Sequence, residues 1–103
     1  MIRVLPFVSL DGASDLGAGT SRDLEGVLSN HGLIVAATGN PTLMNVALEG
    51  SHDGVTWVRF ATASGSTPAA GFVDGRPVRH VRANLTALDG GTSPTVTATV
   101  ASS

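Results

Sequence analysis

The chain has no cysteine, no tyrosine and no lysine among its 103 residues, and only one tryptophan. The lack of cysteine excludes disulfides, thiolate metal ligands and a thiol nucleophile. The lack of lysine and tyrosine removes further common bases and nucleophiles. Charge is also scarce: Asp, Glu, Lys and Arg together make up 14% of the sequence, against about 25% in an average soluble domain. The six basic residues are all arginine, and with eight acids they leave a net charge of −2. That balance argues against a nucleic-acid partner, which needs clustered positive charge. No run approaches the roughly 18 apolar residues of a membrane span. Residues 1–6 have neither the basic start nor the apolar stretch of a signal peptide. A soluble protein with no membrane partner is expected.

What is present is 42% hydrophobic, distributed in short β-branched runs that recur roughly every 8 to 12 residues between Gly, Asp, Asn and Pro. No window sustains the 3.6-residue period of an amphipathic helix. The length fits one domain over residues 1–103, with roughly 64% of the unfolded chain's surface buried on folding. The pattern predicts an all-β fold, an antiparallel β-sandwich of jelly-roll type with about seven or eight strands.

Strands are expected at residues 2–10, 20–28, 31–38, 43–49, 55–62, 77–88 and 95–101, with a short one at 72–73. Pro6 cannot donate to a ladder, which places the first strand at an edge or gives it a bulge. Residues 11–19 and 63–71 read as loops, and Gly39-Asn40-Pro41, Asp53-Gly54 and residues 89–94 as turns. In the last two long strands one face is apolar: Val81, Ala83, Leu85 and Ala87, then Val96, Ala98 and Val100. Two other strands carry apolar residues on both faces, Leu33 to Ala37 and Val55 to Phe60. Leu33, Val35, Trp57 and Val81 are the expected core. Ile34, Val58 and Phe60 are expected to meet a second sheet or a partner.

Few constellations suggest chemistry. His31, His52 and His80 are scattered, without the convergent ligands a zinc site needs. Asp23 and Glu25 share a strand face and read as two solvated charges. Asp11, Asp15, Asp53, Asp74 and Asp89 lie in or beside turns, and none has the spacing of a calcium loop. Gly12, Gly17 and Gly19 have no following helix to bind phosphate, and no serine sits in a nucleophile elbow. No catalytic, cofactor or metal residues are assigned, and an enzyme is not expected. Arg76, Arg79 and Arg82 form the main polar feature. Arginine favours interfaces because it pairs with carboxylates in a bidentate fashion; the alternative is pairing inside the domain with Asp74 or Asp53. The candidate interface is therefore Ile34, Val58, Phe60, Arg79 and Arg82.

Two resemblances bear on these segments. Ser51-His52-Asp53-Gly54-Val55-Thr56-Trp57, followed by Arg79-His80-Val81-Arg82, resembles the Ser-x-Asp-Gly-x-x-Trp and Arg-Tyr-Val-Arg pattern of discoidin-like, galactose-binding jelly rolls, with His80 where tyrosine is common. That likeness implies a β-sandwich with Trp57 in its core. Over nearly the whole chain, residues 7–14, 39–41, 48–57 and 81–97 resemble small virion proteins of tailed phages of actinobacteria, which decorate capsids or associate with tails. This likeness implies a capsid decoration protein on the virion surface, bound to the major capsid protein or other virion proteins. A homo-oligomer is expected, a trimer before other clusters, because too little charge covers too much apolar strand. The alternatives are a carbohydrate-binding module on the virion surface and a tail-tube or connector subunit.

Overall fold

A computed structural model describes residues 4–65 and 68–103. Its strands are β1 (Val4–Ala13), β2 (Gly17–Ala18), β3 (Arg22–Leu28), β4 (His31–Thr38), β5 (Leu43–Ser51), β6 (Val58–Ser64), β7 (Ala69–Val73), β8 (Val78–Asp89) and β9 (Thr95–Ser102). One sheet has the order β1-β9-β4-β7; the second has β2-β8-β5-β6, with β3 also on β8. All pairings are antiparallel. β2 meets Leu85 and Asn84, and β3 continues with Val81, His80 and Val78. The two are successive halves of one interrupted strand, because β5 occupies the other edge of β8. Counted so, the chain crosses from one sheet to the other at every connection except the β5–β6 hairpin, as an eight-stranded jelly roll.

Period-two alternation builds the core. In β9, buried Val96, Ala98 and Val100 interleave with half-buried threonines; Leu33 and Val35 of β4 lie beside them in the same sheet, and Val46 and Leu48 of β5 with Val81 and Ala83 of β8 face them from the second sheet, all at 0% exposure. Each such Val or Leu contributes about 1.5–3 kcal/mol relative to an exposed position. Ser9 joins the sheets at one side: its hydroxyl donates to the Thr20 carbonyl (2.7 Å) and accepts the Ala83 amide (2.8 Å). At the far ends of the same two-strand ladder, Val4 of β1 is paired with Ser102 of β9.

Several expectations need correction. β1 is an edge strand with a register shift between Val4 and Phe7, as Pro6 requires. It runs on to Ala13, however, and Gly17–Ala18 is a strand, so residues 11–19 are not all loop. Ile2 and Arg3 of the expected first strand lie outside the described residues. So do Ser66 and Thr67 of the expected 63–71 loop, whose flanks belong to β6 and β7. The strand expected from Val55 begins only at Val58, and Val55 is 79% exposed. Trp57 is therefore not a core residue but a half-buried one outside the sandwich. Ala87 does not face inward either. β8 bulges at Thr86, the extra residue opposite the step from Asn45 to Val46, which pair with Ala87 and Leu85; this shifts the alternation so that Leu88 packs on the core.

His31 is the one buried histidine. Its Nε2 lies 3.0 Å from the Arg76 carbonyl oxygen, which only an N–H can satisfy, so Nδ1 accepts the Ser102 hydroxyl at 2.8 Å. Its ring stacks on Phe60 with centroids 6.0 Å apart. Burial holds the pKa of His31 below its ordinary value. The unfolded chain therefore takes up this proton at a higher pH than the fold does. The stabilisation is complete above the unfolded pKa of about 6.5 and is lost as pH falls from there toward the folded value. The expected outcome is a lower urea midpoint at pH 5 than at pH 7.5, with a smaller fall in His31→Gln; equal pH slopes for the two proteins would contradict it.

Candidate functional site

The two outer faces of the sandwich differ in chemistry. On the first sheet, register lines up Val8, Thr99, Ile34 and Ala70 in one row across all four strands. The rows on either side carry Ala101, Gly32 and Phe72, and Thr97 with Ala36. None of these positions holds a charge. Val8, Ile34 and Phe72 are 47%, 53% and 70% exposed. The Phe72 ring lies against Gly32: a Cβ there would come within 2.9 Å of it, so glycine is what lets the aromatic approach the sheet.

The second sheet gathers charge into pairs. Glu49 points away from the core yet is buried. Its Oε1 accepts Arg82 Nε at 2.8 Å and its Oε2 accepts Asn84 Nδ2 at 3.1 Å. The Arg82 guanidinium also lies 4.1 Å from the centre of the Trp57 ring, whose edge meets His80. Further along β8, Arg79 makes two bonds to Asp23, of 2.9 and 3.2 Å. The hydrogen bonds from Arg79, and then from the Glu25 amide, hold the Asp23 carboxyl below its usual range. Both arginines are thus paired within the chain, to Glu49 and Asp23 rather than to Asp74 or Asp53.

A groove of about 530 Å³ opens beside the turn between β5 and β6. Val58, Phe60, Pro77 and Val78 form its apolar lining, and Asp53 and Arg76 stand at its rim. Phe60 fills the place that a side chain at Gly50 would take. His52 Nε2 donates to the Pro77 carbonyl at 3.0 Å and so links the turn to the start of β8. The turn is held by Asp53, whose Oδ1 accepts the Val55 and Thr56 amides at 2.8 and 2.9 Å and the Ser51 hydroxyl at 3.0 Å. The Thr56 and Val55 amides, then the Ser51 hydroxyl, pull its pKa down to about 2.

The five sequence-predicted interface residues therefore fall in three places. Ile34 is on the uncharged face, Val58 and Phe60 are in the groove, and Arg79 and Arg82 are in ion pairs on the second sheet. Val8 and Phe72 were not singled out; only the register that places them beside Ile34 and Gly32 reveals them. Among the described residues no three His, Asp or Glu side chains converge as metal ligands.

No family model and no curated protein matches the chain. Solved structures do. The PBSX exported protein XepA superposes with a TM-score of 0.70 at 16% identity over 99% of the chain, which spans 38% of the length of XepA. The SPBc2 prophage-derived protein YomS superposes with a TM-score of 0.61 at 13% identity over 96% of the chain and 92% of its own length. At these identities the likeness is one of fold.

Arg82 supports Glu49 and Trp57 together. Its replacement in Arg82→Ala leaves a buried carboxylate without its cation, and is expected to cost roughly 2–4 kcal/mol and to shift Trp57 emission to the red. A change below about 0.5 kcal/mol in chemical denaturation, the size of an exposed-pair effect, would show that the pair is a surface contact only.

Proposed function

We propose that the chain is a structural component of a phage particle: a decoration protein that lays the outer face of its β1-β9-β4-β7 sheet on the assembled shell. The observation that carries this reading is the row Val8, Thr99, Ile34 and Ala70, with the β9, β4 and β7 positions on either side of it, none of them charged, and with Ile34 and Phe72 standing exposed among them. A contiguous uncharged apolar surface is a mark of protein docking. Support for a phage association comes from the names of the two structural neighbours, both phage-derived.

The size of the face favours a repeated partner. Four strands at about 4.8 Å spacing, over some six residues of 3.3 Å rise, give on the order of 300–400 Å². A stable pairwise contact buries about 800 Å² on each partner. One such face alone is therefore a weak binder. A shell offers many equivalent sites, and a symmetric cluster of decoration subunits reaches several at once, which converts weak contacts into firm attachment. A sugar-binding reading has less support, because Arg82 already covers one face of Trp57 and stacking on sugars needs an open ring.

Co-sedimentation with empty shells of the phage that encodes the chain tests the reading. The wild-type protein is expected to pellet with shells. Ile34→Asp is expected to lose binding at least about tenfold, the effect of about 1.4 kcal/mol at a contact centre, while its thermal midpoint stays within a few degrees because Ile34 is exposed. Wild-type protein that stays in the supernatant, or an Ile34→Asp variant that pellets equally, would overturn the assignment.

A further inference from the structure

We infer that the turn between β5 and β6, with the groove beside it, is a contact between two copies of this chain related by a two-fold axis. The turn offers a knob and a hole side by side. Val55 is the knob: at 79% it is the most exposed of the large apolar residues among the described residues, held out by a turn whose amides Asp53 fixes. The hole is the groove, with Val58 (58% exposed), Phe60 and Pro77 in its lining. A knob next to its own hole cannot fill it when the turn is rigid. A second copy, rotated by 180°, inserts its Val55 into the first groove and receives the first Val55 in its own, which is the isologous arrangement typical of dimers.

The rim charges favour the same occupant. Asp53 and Arg76 both border the groove. Neither makes a salt bridge among the described residues, where the pairs are Arg79–Asp23 and Arg82–Glu49. A two-fold axis through the groove sets each Asp53 opposite the partner's Arg76, so the contact carries two opposite-charge pairs. The backbone of Arg76 is fixed at both ends, its amide to the Ser29 carbonyl and its carbonyl to His31, which sets where its side chain leaves the chain beside the groove. The apolar hole, the exposed Val55 and the acid–base rim thus complement a copy of themselves. This contact is separate from the uncharged sheet face and does not depend on the proposed shell docking.

Sedimentation velocity and light scattering across a concentration series test it with the full chain. Wild-type protein is expected to pass from monomer to dimer as concentration rises, and more weakly in high salt, which screens the rim pairs. Val55→Asp is expected to weaken dimerisation at least about tenfold with an unchanged thermal midpoint, since the residue is exposed in the monomer. Asp53→Asn keeps an oxygen to accept the Val55 and Thr56 amides and removes only the charge; it and Arg76→Gln are each expected to weaken the dimer severalfold. Ile34→Asp, on the other face, is expected to dimerise like wild type. A wild-type protein that stays monomeric up to about 1 mM, a Val55→Asp variant that dimerises equally, or an Ile34→Asp variant that does not dimerise would each overturn the inference.

Discussion

The narrow apolar layer between the two sheets constrains everything else in this molecule. Packed sheets stand about 10 Å apart, and here that layer is made mainly of Leu, Val and Ala from both inner faces. Large rings do not fit at its centre. Phe7 reaches it from an edge strand, Phe60 lies at its margin over Gly50, and Phe72 and Trp57 are outside it altogether, one over Gly32 and the other against Arg82. The two glycines are as much a part of this arrangement as the rings, because each yields the space that the ring occupies.

Since the inner faces are alike, the outer faces carry what distinguishes the protein. On the second sheet two ion pairs, Arg82–Glu49 and Arg79–Asp23, hold Trp57 and the β3–β8 edge in place. The first sheet carries no charge at Ile34, Gly32 and Ala36 or at the β9 and β7 positions paired with them. A sandwich that spends its arginines on one side and exposes Ile34 and Phe72 on the other has a direction, with one side finished internally and one side open to a neighbour.

Alternation is the property that could be read from the residues alone. Val96, Ala98 and Val100, and Leu33 and Val35, were assignable to the core because a strict period of two leaves no other inward set. The strand His31–Thr38 was likewise bounded by its own chemistry, with Gly39-Asn40-Pro41 ending it. The failures arise where side chains alter backbone counting. Asp53-Gly54 signals a tight hairpin, but the Asp53 carboxylate also captures the Val55 and Thr56 amides, which lengthens the turn and carries Trp57 out of the sandwich. The bulge opposite Asn45 and Val46 reverses the faces of Ala87 and Leu88 with no mark in composition. Residues 11–13, rich in turn formers, still join a strand because β9 offers partners: Ala13 pairs with Val96, and the Gly12 amide donates to the Thr97 hydroxyl. The surface that joins Ile34 to Val8 and Phe72 could not be read from the residues, because which residues share a face across strands is a matter of register, and register is set by partners distant in sequence.

The ladder between the first and last strands has one more implication. Val4 faces Ser102, so both ends of the described chain leave the sandwich at a single corner. A domain with adjoining ends can be spliced into a surface loop of a larger host polypeptide without prying that loop apart, or be rejoined end to end and reopened at another turn with its sheets intact. The same geometry lets the module hang from its neighbour by one point of attachment, which leaves both broad faces free to meet something else.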